Sequence, residues 1–153
     1  MFVTDQLRTS VERLASVLER EGRMLSEIAS MQENMRKEQR GDASGLTADI
    51  LLRAAERSLF IGVECVADVG NLLIDALLMR DPASYSDIVE ILADERVIDR
   101  ELSSRIQKIV KYRAVLVREY LEGDTDGQVW ELAADSAALL EFAEAARAYV
   151  RTK

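Results

Sequence analysis

From Leu7 to Met35 a seam recurs at alternating intervals of four and three: Leu7, Val11, Leu14, Leu18, Glu21, Leu25, Ile28, Gln32 and Met35. That interval is the repeat of one helix face, so the spacing predicts a long first helix. The pattern stops in "KEQRGDASG", where glycine, aspartate and serine supply a loop. A second helix is predicted from about Leu46 to Met79, closed by "RDPAS", which holds the only proline. Ser84 with Asp87 reads as a capping pair for a short third helix through about Asp94. A fourth helix is expected from near Asp99 to about Leu121, and "EGDTDG" then makes a turn. The fifth carries Val129, Leu132, Ala133, Ser136, Leu139, Leu140, Ala143 and Val150 on one face. The expectation is an all-α antiparallel bundle of about five helices, one domain across residues 1–153.

Two helices break the usual division into an apolar and a polar side. The second is apolar almost all round, so it should be central or buried on two sides. Its polarity past the first turns falls on one narrow line, Arg57, Glu64, Asp68, Asn71 and Asp75. That line is either a thin solvent-facing strip or a row of acids that meets cations from a neighbouring helix or a second subunit. On the fourth helix, Leu102, Ile106, Ile109, Val110, Leu116 and Val117 form the apolar arc, and Arg113 falls inside it. An inward guanidinium needs a carboxylate, and the candidates are Glu64, Asp68 and Asp75, with Asp68 ranked first and Glu64 second. If that pair is buried, Arg113→Ala should cost about 3 kcal/mol. A structural ion pair, or an arginine that snorkels to the helix edge, accounts for the same pattern without any function. Arg118 falls with Lys108 and Lys111 on the polar side and reads as a solvated charge.

Composition narrows the chemistry. The only cysteine is Cys65 and there is no histidine, so an internal disulfide and a cysteine-based zinc site are excluded and the commonest metal ligand is missing. No apolar run approaches the roughly 20 residues of a membrane span, and the N-terminus lacks the pattern of a signal peptide. A cytoplasmic protein is expected. The formal charge of −8 disfavours wholesale coating of nucleic acid, so only a local basic pocket could hold RNA.

The order Arg113, four residues, position 118, one residue, Tyr120 resembles the R-x4-H-x-Y signature of the HEPN superfamily, and specifically its HepT-like branch of minimal bacterial toxins. The resemblance extends over "AAERSLFIGVECVADVGNLLIDALLMRDPASYSDIVEILADERVI" and through "YRAVLVREYLEGD", about half of the chain. It implies a helical homodimer whose two signatures line one cleft, metal-independent ribonuclease activity, no cofactor, and a nucleotidyltransferase antitoxin that adds nucleotides to the signature tyrosine. Arg113 then matches the signature arginine and Tyr120 the tyrosine open to modification. Position 118, the catalytic histidine of the signature, is arginine, and the polar residue usual after the first arginine is Ala114.

Cleavage of RNA at the 2′-hydroxyl needs proton transfers. With a pKa above about 12, Arg118 cannot act as a base; it can bind phosphate or stabilise its charge. Other proton-transfer candidates are the carboxylates Glu119, Glu64 and Asp68, whose pKa values would have to be raised. Two readings follow: a HepT-like ribonuclease toxin with weak or altered catalysis at Arg113, Arg118 and Tyr120, or a non-catalytic HEPN dimer that partners a nucleotidyltransferase. A helical carboxylate enzyme using a divalent metal at Glu64, Asp68 and Asp75 lacks matching ligands on other helices.

Overall fold

The computed structural model describes residues 3–38, 43–118 and 126–153. These residues form seven helices and no strand: α1 (Asp5–Glu38), α2 (Ala43–Ala76), α3 (Tyr85–Asp94), α4 (Arg100–Lys111), α5 (Arg113–Arg118), α6 (Asp126–Ala134) and α7 (Ala137–Thr152). α1 and α2 have 34 residues each and run ~50 Å at the helical rise. Only four residues separate them in the chain, so α2 returns antiparallel along α1. α1 packs mainly on α2 and α7, and α3 packs mainly on α4.

The seam read along α1 is largely the observed one, with Ala15 taking the place of Leu14 and the cover thinning past Ile28. Ala15 and Gly22 are buried with Leu7, Val11, Leu18, Leu25 and Ile28, whereas Leu14 and Met35 are only partly covered. The helices approach closely at Gly22: a Cβ there would stand 2.7 Å from Leu140 Cδ1 and 3.3 Å from the Ser136 carbonyl oxygen, so Leu140 would have to shift to admit one. Glu21 is buried as the seam implies, and its carboxylate accepts from Arg20 Nε at 3.1 Å.

The expected fourth and fifth helices are each divided, and this is why seven segments replace about five. At Tyr112 the amide bonds back to the Ile109 carbonyl at 3.2 Å, a three-residue spacing that tightens the turn and separates α4 from α5. Tyr112 itself is buried. At Asp135 and Ser136 the amides likewise reach back three residues, to Leu132 and Ala133, separating α6 from α7. The Asp135 carboxylate takes Arg105 of α4 through two hydrogen bonds of 2.9 and 2.8 Å. This inter-helix tie lies at the break. The expected turn at "EGDTDG" falls largely outside the described residues, and α6 already begins at Asp126.

Local signals fare well around α3. Ser84 caps the helix by accepting the Asp87 amide at 3.1 Å, and Asp99 caps α4 by accepting the Leu102 amide at 2.7 Å. The Asp87 carboxylate accepts from the Ala83 amide and from both terminal amino groups of Arg80, at 2.7–2.8 Å. α2 and α3 end with Leu78 and Arg96 at positive φ, 52° and 60°. In each case the next amide bonds five residues back, Met79 to Ile74 and Val97 to Leu92, which closes the helix despite the absence of glycine. No helix of the described residues is long and apolar enough to cross a membrane.

Candidate functional site

The polar line on α2 divides on folding. Arg57, Asp68, Asn71 and Asp75 face solvent, as a thin exposed strip would. Glu64 alone is half-buried and meets a cation from another helix. Its Oε1 accepts from Arg113 Nε at 2.7 Å, and its Oε2 accepts from the Tyr85 hydroxyl at 3.1 Å. The ring of Tyr85 lies beneath the same guanidinium, with Arg113 Cζ 4.3 Å from the ring centre. Three helices thus meet in one cluster: α2 supplies the carboxylate, α3 the aromatic ring and α5 the arginine.

The expected partner order is corrected here. Arg113 pairs with Glu64, the second candidate, and not with Asp68, the first. The two acids lie one helical turn apart on neighbouring directions, so a wheel drawn for one helix separates them poorly. The expectation that Arg113 points into the core is corrected as well. Its side chain keeps 35% of its exposure and that of Glu64 33%, so the pair sits at the edge of the core. Arg105 and Arg147 are more deeply covered, at 21% and 15%. Arg105 ties α4 to Asp135 and Glu141, and Arg147 ties α7 to Glu12 and Glu19 on α1. Those two are inter-helix staples that the sequence pattern did not single out.

Neighbouring elements hold the cluster in place. Tyr85 is the first residue of α3, directly after the Ser84 cap. Ser86 donates to Gln107 Oε1 at 2.7 Å, and Gln107 Nε2 donates to the Ser86 carbonyl at 2.8 Å, fastening the start of α3 to α4. The hydrogen bond from Arg113 to Glu64 raises the arginine pKa further, so the guanidinium stays charged at any physiological pH. Burial, and then the hydrogen bond to Glu64, raise the Tyr85 hydroxyl. Partial desolvation, and then the charge of Glu64, shift the Asp68 carboxyl upward from its ordinary value. Cys65 is buried beside them, and desolvation pushes its thiol up to about 11, which keeps it protonated and unreactive.

Arg118 ends α5 and is exposed. Tyr120 and Glu119 lie outside the described residues. Among the described residues no group of three or more acids or cysteines is placed to hold a metal ion. Tyr85 is the site residue that sequence reasoning missed. It stands directly after the "RDPAS" stretch that closes the second helix, and nothing in local periodicity says that this tyrosine reaches α2.

A family model described as "Ribonuclease HepT-like" matches residues 9–146. The chain belongs to the HepT-like ribonuclease family. YutE of Bacillus subtilis (strain 168), whose name carries a provisional assignment as an RNase, is 39% identical over 101 residues, 65% of this chain and 69% of YutE. A solved structure of Bacillus subtilis YutE, described as a cytosolic protein of unknown function, superposes with a TM-score of 0.76 at 29% identity, covering 99% of this chain and 94% of that one. Two toxin–antitoxin structures share the fold, each with a TM-score of 0.71. One is a tri-AMPylated Shewanella oneidensis HEPN toxin in complex with an MNT antitoxin, at 18% identity over 90% of this chain and 96% of that one. The other, solved with AMP-PNP, is 19% identical over 90% and 97%. The HepT-like resemblance and the all-α HEPN fold therefore hold.

Proposed function

We propose that this HepT-like protein is the ribonuclease-type toxin component of a toxin–antitoxin pair, a homodimer that binds RNA or nucleotide phosphate in a cleft between subunits and cleaves weakly. The observation that carries the reading is the Arg113–Glu64–Tyr85 cluster, which fixes a permanently charged guanidinium at the edge of the core at the signature position. With Nε given to Glu64, a phosphate would be met by the terminal amino groups of Arg113, the arrangement in which arginine grips two oxygens. Arg118 adds a second cation and Tyr120 a hydroxyl for nucleotide addition by a nucleotidyltransferase antitoxin. The HEPN neighbours bound to antitoxins support that partner class. Dimerisation is part of this reading, supported by Leu46 and Ile50 of α2 and Met24 and Met31 of α1, which one chain leaves exposed; a monomer in sedimentation at micromolar concentration would refute it.

Catalysis is weak in this reading because no imidazole exists anywhere in the chain. A proton must leave the 2′-hydroxyl and another must reach the leaving oxygen, and Arg118 can do neither at neutral pH. It can neutralise the charge that builds on the phosphate. The same observation supports the second reading, a non-catalytic HEPN dimer that binds or regulates a nucleotidyltransferase. Arg118→His separates them. Restored imidazole should raise metal-independent cleavage of a single-stranded RNA at least tenfold if the cleft is otherwise arranged for it. No gain, with RNA still bound, would favour the non-catalytic dimer. Strong cleavage by the unmodified chain, unaffected by Arg118→Ala, would show that a carboxylate such as Asp68 moves the proton.

A further inference from the structure

We propose that Tyr85 is a positioning residue for Arg113: its ring and hydroxyl together hold the guanidinium and Glu64 in the one arrangement that presents Arg113 to an RNA phosphate. The inference rests on the reading of Arg113 as a phosphate-binding group and names a residue that the R-x4-H-x-Y pattern does not contain.

An arginine on a six-residue helix has several rotatable bonds and about a third of its surface in water, so its direction must be imposed from outside. Glu64 fixes one atom, Nε, at 2.7 Å. A single hydrogen bond still lets the guanidinium plane rotate. The Tyr85 ring, 4.3 Å from Cζ, removes that freedom by covering one face of the group and attracting the cation. The hydroxyl acts on the other partner: it donates to Glu64 Oε2 at 3.1 Å, so that Oε1 is the oxygen turned to Arg113. Tyr85 therefore touches both partners at once, Arg113 with its ring and Glu64 with its hydroxyl.

Its own position is set with little slack. The Ser84 cap and the double hydrogen bond between Ser86 and Gln107 bracket it on either side along the chain. A tyrosine that merely filled space at the start of a helix would need neither a carboxylate at its hydroxyl nor a cation on its face.

The test is a double-mutant cycle read by fluorescence anisotropy of an end-labelled single-stranded oligoribonucleotide, with thermal unfolding of each variant in parallel. Arg113→Ala should weaken binding at least tenfold. Tyr85→Leu, with Arg113 intact, should weaken it nearly as much, and Tyr85→Leu combined with Arg113→Ala should be no weaker than Arg113→Ala alone, because both changes remove one function. Tyr85→Phe keeps the ring and should restore most of the affinity, leaving a two- to fivefold loss for the missing hydroxyl. Additive losses in the double variant, or Tyr85→Leu binding like the unmodified chain, would overturn the inference while leaving Arg113 as the phosphate group. If Tyr85→Leu does not fold, Tyr85→Phe decides: affinity equal to that of the unmodified chain would refute the role given to the hydroxyl. Binding that is absent, or indifferent to Arg113→Ala, would overturn the proposed function itself and this inference with it.

Discussion

Gly70 on α2 offers a direct test of how tightly the helix bearing Tyr85 is seated. A Cβ at this position would stand 2.2 Å from Cγ2 of Ile88 and 3.5 Å from Cδ1 of Leu92, both on α3 and both buried. The Ile88 methyl hangs from a β-branched carbon whose rotamer is nearly fixed in a helix, so it yields only if α3 moves as a body. Overpacking of this kind costs about 1–3 kcal/mol. Replacing a helical glycine with alanine returns about 1 kcal/mol. Gly70→Ala should therefore destabilise by about 1 kcal/mol net, a fall in melting temperature of roughly 2–4 °C for a chain of this size. Gly45→Ala on the same helix is the control, because nothing lies within 4 Å of a Cβ there, and it should stabilise by about 0.4–1 kcal/mol. The assay is thermal unfolding followed by helical circular dichroism. Adding Ile88→Leu, which moves the branch point outward, should recover most of the loss at Gly70. If Gly70→Ala melts at or above the unmodified protein, the α2–α3 contact is looser than described and the seating of Tyr85 must be looser with it.

Two further outcomes are expected. Arg113→Ala should cost about 1 kcal/mol in urea unfolding, combining a partly exposed ion pair with a ring contact, in place of the 3 kcal/mol of a buried pair; a loss of 3 kcal/mol or more would show that the pair is shielded from water. Asp87 is held down to about 2 by Arg80 and by the Ala83 amide, below its unfolded value of 3.8. Its contribution is then present above about pH 4 and lost as the pH falls toward 2. Asp87→Asn should flatten the fall in urea midpoint across that window, and an unchanged acid slope would remove Asp87 from the account.

Much of this protein was legible one helix at a time. The four-and-three spacing of α1, the capping serine before α3, the start of α4 near Asp99 and the all-round apolar character of α2 are local properties, and local hydrogen bonding and burial carried them into the structure nearly unchanged. The family signature was legible too, since it needs only residue order. The breaks at Tyr112 and Asp135 were not. Each is a shift from four-residue to three-residue hydrogen bonding, which no side-chain period records. The partner of Arg113 was also beyond the sequence. Glu64 and Asp68 lie only about 40° apart on the wheel of α2 but a full turn apart along it, so which of them α5 reaches depends on where two helices cross. Tyr85 shows the same limit more sharply, because its contacts lie 21 and 28 residues away and follow from the path of the α2–α3 turn. Sequence determined which residues could be polar, inward and paired; the crossing of three helices decided which of them met.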